Sequence, residues 1–247
     1  LDRMLDFRPL QLEDLPRLRP YFAYSGSRLC DTTPGTVFIW RDMYRTEYAL
    51  WDNSLYFKVD YPGVGPTFTL PLGGGRLEQF RQIAEYCLQN KLLDMIDDMA
   101  KRYPGVETDK FFLFGHSGGG QFVNRFLFAH PEKLRACAIG APGRPTFLNP
   151  DEDYFWGTRD FKNYFGHDVD LAAVQKVPVL VIVGENDTKF IGDSPYGDNR
   201  VARMKSLQKN LQDHGVHTEL TILPGFAHEG GEKERVQAAQ HFFEAYL

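Results

Sequence analysis

Gly115-His-Ser117-Gly-Gly119 is the part of this 247-residue chain whose residue types and spacing carry chemistry. A serine between two glycines, after an apolar run and before a helical pattern, reads as a nucleophile elbow. The sharp bend lifts the hydroxyl clear of the sheet, and small flanking residues let strand and helix backbones approach closely. A serine hydroxyl needs a base to take its proton and a third group to orient that base. Downstream, Gly184-Glu-Asn-Asp187 offers the acid and Pro224-Gly-Phe-Ala-His228 the imidazole, with Glu185 and Asp193 as rival acids. The other histidines fit worse. His130 and His241 fall on helical patterns, His214 lies near a helix end, His217 opens a strand and His167 lies in an irregular stretch. His116 is too close to Ser117 along the chain to act as its base and is read as a pocket-lining residue.

These groups need rigid elements to bring them together. Phe111–Phe114 is an unbroken apolar run of the kind found in parallel strands covered on both faces. The helix after Ser117 carries Phe122, Phe126 and Ala129 at helical spacing, with Pro131 past its end. Val177–Val183 and His217–Leu223 read as two more buried strands, and 135–140 as another. Ser117, Asp187 and His228 each follow the carboxyl end of a strand, which is where open parallel sheets place their sites.

Those three motifs, in the order serine, acid, histidine, resemble the α/β-hydrolase family over residues 92–247. The resemblance implies that Ser117 is the nucleophile, His228 the general base and Asp187 the residue that orients the imidazole. It also implies that the Gly118 N–H is one oxyanion-hole donor. In this family the stretch at about 144–170 holds a cap over the site. Here that stretch is rich in aromatic residues, among them Phe155 and Trp156, read as substrate contacts.

Residues 1–90 do not look like the first half of such a fold. Leu10–Leu18 reads as a short helix, Glu47–Trp51 with Leu55–Tyr61 as a hairpin, and 77–89 as an amphipathic helix. Phe7-Arg-Pro-Leu, Phe38-Ile-Trp40-Arg, Tyr48-Ala-Leu and Phe68-Thr-Leu-Pro-Leu-Gly73 are similar to the amino-terminal part of the acetyltransferase-like domain of phosphatidylglycerol lysyltransferase relatives. That resemblance covers about residues 4–90, lacks an acyl-CoA phosphate loop and carries no transferase activity with it. A competing arrangement makes Thr67–Leu70 a parallel strand beside Phe111–Phe114, with 71–76 as an oxyanion loop supplying Gly74 as a second donor. Without such a neighbour the elbow strand is a sheet edge, so something from residues 36–72, or a partner chain, is expected to cover it.

The expected fold class is therefore α/β: a partial α/β-hydrolase, with a parallel sheet flanked by helices, preceded by a small α+β segment. The expected domains are 1–90 and 91–247. A formal net charge of −5 and the lack of a basic block argue against nucleic acid as partner. No apolar run is long enough to span a membrane. Cys30, Cys87 and Cys137 are widely spaced and odd in number, and read as reduced core thiols of a cytoplasmic protein. No cofactor is expected, and His214 with His217 lacks the further ligand a metal site needs, so none is assigned. The functional expectation is a serine hydrolase of a small carboxylic ester, working through an acyl-enzyme. Two other readings stand beside it: a catalytically impaired chimera or fragment acting as a scaffold, and an acyl or aminoacyl transferase.

Overall fold

The computed structural model describes residues 5–23, 33–51, 53–61, 65–69, 71–73 and 91–247. The expected helix at 77–89, Gly74, Cys30 and Cys87 lie outside them. The chain divides into two units. One comprises Leu1–Lys91 with Tyr164–Gly166, the other Leu92–Asn163 with His167–Leu247.

The first unit is built on an antiparallel sheet. Strand β1 (Arg8–Pro9) and a 3-10 turn at Leu12–Asp14 lead into helix α1 (Leu15–Phe22), which is followed by α2 (Pro34–Ile39). Strands β2 (Glu47–Trp51) and β3 (Ser54–Tyr61) form the expected hairpin, with Tyr48 opposite Phe57. Alternation along this hairpin divides its residues between two cores. Tyr48, Leu55 and Phe57 join Leu10 and Leu18, while Ala49 and Tyr56 join Leu5. Strand β4 (Gly65–Phe68) runs antiparallel to β3, and β5 (Leu72–Gly73) pairs with β3 through Leu55 and Leu72. The competing arrangement is thereby corrected in its strand: Thr67 and Phe68 find their hydrogen bonds on β3, antiparallel, while Gly74 of the expected oxyanion loop lies outside the described residues.

The second unit opens with helical residues 92–102 (α3). Strand β6 (Phe111–His116), helix α4 (Gly118–Ala129), a 3-10 turn at Pro131–Lys133 and strand β7 (Leu134–Gly140) follow. After α5 (Phe161–Phe165) and α6 (Leu171–Val174) come β8 (Val179–Gly184), α7 (Arg200–Asp213), β9 (Thr218–Leu223) and α8 (Glu232–Glu244). The four strands form one parallel sheet in the order β6-β7-β8-β9. Short Ala136 and Ala138 beside Leu180 and Ile182 let Ala239 and Phe242 of α8 settle against one face. Phe112 stacks on Phe243 of α8 with ring centroids 4.8 Å apart, while its neighbour Phe111 turns to Phe126 of α4 at 5.9 Å. Alternation thus puts α8 and α4 on opposite faces of β6. Among the described residues the elbow strand is the edge of this sheet, paired through β7, and all six of its residues are half-buried. No strand among the described residues of 36–72 pairs with it; those strands pair with one another in their own antiparallel sheet.

Candidate active site

Ser117 sits between β6 and α4 with φ 56° and ψ −114°, a backbone conformation that costs a non-glycine residue about 1–3 kcal/mol. Its N–H donates to Gly140 O at 2.8 Å and its carbonyl accepts from Gln121 N at 3.0 Å, so the bend is tied to β7 and to the first turn of α4. A Cβ on Gly115 would lie 2.4 Å from Gly119 O, and one on Gly120 would lie 2.3 Å from Gly140 O. Strand, helix and neighbouring strand therefore close on one another through Gly115 and Gly120. Gly119 meets nothing within 4 Å at its Cβ position. The five-residue motif thus marked one of the two contact glycines, and the other follows it directly.

The turns after β8 and β9 are knitted together. Glu185 N donates to Leu223 O at 2.9 Å, Asn186 N to Phe226 O at 2.8 Å, and the Glu185 carboxylate accepts from Gly225 N at 2.9 Å. Glu185, a rival acid, is thus occupied in holding the histidine loop, and Asp193 is exposed. Asp187 is 1% exposed. Its Oδ2 lies 2.8 Å from His228 Nδ1, and His228 Nε2 lies 2.9 Å from Ser117 Oγ. The carboxylate can only accept, so Nδ1 carries the proton and the Nε2 lone pair faces the serine hydroxyl. A hydroxyl so placed can transfer its proton to the ring as its oxygen attacks an electrophile. Helix α4 starts at Gly118, whose N–H belongs to the first turn and has no intrahelical acceptor, as an anion-binding group requires.

Around these groups the structure adds Arg203, Arg235 and Asn124, which the sequence did not single out, and it turns Arg200, read from the sequence as a contact for a substrate carboxylate, toward Asp187. Arg200 Nη1 stands 3.5 Å from the second oxygen of Asp187. Arg203, 1% exposed, donates to the carbonyls of Gly143, Gly192 and Gly197, so one side chain of α7 ties two loops together at three carbonyls. Burial, then the nearby Arg144 and Arg200, lowers the Arg203 pKa below the usual guanidinium value. Arg235 of α8 donates to Ala227 O and His228 O, each at 3.0 Å, and to Gly230 O. Asn124 of α4, fully buried, bonds the Thr146 main chain in both directions, at 2.6 and 3.2 Å. Long polar side chains reaching backbone carbonyls leave no spacing pattern, which is why they were not legible.

His116 Nε2 bonds His228 O at 2.9 Å, its Nδ1 is buried without a hydrogen-bond partner, and the two imidazoles lie 4.8 Å apart. Burial is the main influence on the ring and holds its pKa below the ordinary value, against the carbonyl bond, which raises it. Its two nitrogens are therefore directed at the protein. Phe155 and Trp156, expected to contact substrate, pack on other aromatic rings and on arginines of α4 and α7. Trp156 lies beside the stacked Phe147–Tyr196 pair, 6.5 and 5.9 Å from their rings, with the Arg203 guanidinium 5.0 Å from its own. Phe155 lies 4.6 Å from Tyr154, and Arg125 of α4 covers it at 4.7 Å.

No family model matches the chain, and no curated protein matches it in sequence. Among solved structures, poly(aspartic acid) hydrolase-1 from Sphingomonas sp. KT-1 is similar with a TM-score of 0.50 and 24% identity, over 60% of this chain and 59% of that one. A carboxylesterase from Bacillus cereus aligns with a TM-score of 0.44 and 16% identity, over 78% and 75% of the two chains. An S-formylglutathione hydrolase from Agrobacterium tumefaciens aligns at 0.38 and 16%, over 62% and 53%. The first of these matches shows the fold: a parallel sheet flanked by helices, of the α/β-hydrolase kind. The chain spans about three fifths of the length of that hydrolase. The lysyltransferase resemblance of residues 4–90 finds no support in these comparisons. Among the described residues, no helix is long and apolar enough to cross a membrane.

Proposed function

We propose that this chain is a serine hydrolase of small carboxylic esters, working through an acyl-enzyme. The observation that carries the reading is the unbroken line from Asp187 Oδ2 through His228 to Ser117 Oγ, with contacts of 2.8 and 2.9 Å. Ser117 Oγ attacks the ester carbonyl as its proton passes to His228 Nε2, and Asp187 stabilises the imidazolium that forms. The negative oxygen of the tetrahedral intermediate is taken by the Gly118 N–H. Collapse breaks the carbon–oxygen bond to the alcohol, which leaves with the proton from Nε2. Water then repeats the sequence, giving the acid and restoring the hydroxyl. Phe155 and Trp156 form apolar walls of the cap against the substrate. A cytoplasmic location belongs to this reading and rests on the sparse, odd cysteines, of which Cys137 is buried with a free thiol.

Hydrolysis of p-nitrophenyl acetate and butyrate tests the proposal. The native chain should turn over with an initial burst. Ser117→Ala and His228→Ala should each lower kcat by about 10⁴-fold or more. Turnover that survives Ser117→Ala would contradict the assignment.

A further inference from the structure

His228 is gripped at both ends. Its ring faces Ser117 Oγ and Asp187, while its carbonyl oxygen accepts from His116 Nε2 at 2.9 Å and from Arg235 Nη2 at 3.0 Å. Two consecutive residues of the elbow therefore reach one histidine, Ser117 at the side chain and His116 at the main chain.

We infer that His116 and Arg235 are positioning residues, a clamp on the His228 main chain that keeps its ring within reach of the Ser117 hydroxyl. The inference rests on the hydrolase reading and deepens it. His228 lies in an irregular loop between β9 and α8, where no ladder of hydrogen bonds fixes the peptide planes. Arg235 sits in the first turns of α8 and is 2% exposed; its planar fork holds the carbonyls of Ala227, His228 and Gly230 together. His116 ends β6, so the same loop is fastened to a helix on one side and to the sheet on the other.

The chemistry of position 116 follows from its acceptor. A carbonyl cannot donate, so His116 carries its proton on Nε2, and the buried Nδ1 keeps its lone pair. A neutral imidazole supplies this one donor without adding a charge beside the ring of His228. Displacing a reacting group by about 1 Å costs on the order of 10²-fold in rate, so slack in this loop should appear in kcat.

The test compares His116→Gln, His116→Asn and His116→Ala with the native chain in steady-state ester hydrolysis and in fluorophosphonate labelling rate. Gln carries its amide nitrogen where Nε2 stood; Asn is one bond too short. The clamp predicts that His116→Gln keeps kcat within about threefold, while Asn and Ala lose about 10–100-fold with KM within about twofold. Labelling rates should follow kcat. Asn and Gln variants of equal kcat, or a folded Ala variant with native kcat, would overturn the clamp. If the Ala variant does not fold, the Gln–Asn pair decides alone. A native chain that neither hydrolyses nor labels removes the hydrolase reading and the clamp with it. An active native chain that is indifferent to His116→Asn removes only the clamp.

Discussion

A positive φ at Ser117 is tolerated only because neighbouring residues give the bend nowhere else to go. Gly115 brings β6 against the backbone of Gly119, and Gly120 brings α4 against β7, each closer than a Cβ allows. Gly120→Ala should therefore destabilise the fold by about 1–3 kcal/mol in urea unfolding, whereas Gly119→Ala, with open space at its Cβ position, should stay within about 0.5 kcal/mol. Equal effects would mean that the elbow is not held by this close approach. At this scale the sequence was most informative about side chains whose neighbours along the chain identify them. Ser117 stood between glycines, and Asp187 and His228 each stood just past an apolar run. It was least informative about Arg235, Arg203 and Asn124, because their partners are carbonyls brought near by folding. His116 shows the intermediate case. Its place beside Ser117 was visible, but its direction, toward the main chain of His228, was not.

The elements obey alternation and apolar runs closely. The β2–β3 hairpin was legible because its residues alternate between two cores, and β7 and β8 because nearly every residue in them is buried. Thr67–Leu70 was harder, since a short apolar run does not encode direction; the hydrogen-bonding edge of β3 decides that β4 runs antiparallel. The stretch 144–170 has no period because polar side chains on the helices organise it. Asn124 of α4 takes Thr146, and Asn210 of α7 takes Leu148 with bonds of 2.8 and 3.2 Å. Asn124→Ala should strip the buried Thr146 peptide of two partners and cost about 2–3 kcal/mol. Asn124→Asp keeps the acceptor and loses the donor, and should also destabilise. If chemical unfolding of Asn124→Ala matches that of the native chain, the stretch 144–170 is not anchored in this way.

For the whole molecule, the perturbed imidazole becomes a statement about stability and pH. His116 is held below its ordinary value of 6.5, so in the window beneath 6.5 the unfolded chain binds a proton that the folded chain does not. Stability from this group is present above that window and is lost as pH falls through it, by at most about 1.4 kcal/mol per pH unit. The native chain should therefore lose stability relative to His116→Gln between pH 7.5 and pH 5.5 (roughly one unit to either side of the imidazole range). A difference that does not change with pH would contradict it. Burial also pushes the Cys137 thiol far up, so iodoacetamide should modify it only after denaturation, as peptide mass mapping would reveal. The central claim, a serine activated by an imidazole at one rim of the parallel sheet, meets its most direct test in a fluorophosphonate probe followed by peptide mapping. One stable adduct should form on Ser117, lost in Ser117→Ala and formed far more slowly in His228→Ala. An adduct that persists in Ser117→Ala, or a folded native chain that takes up no probe, would contradict it.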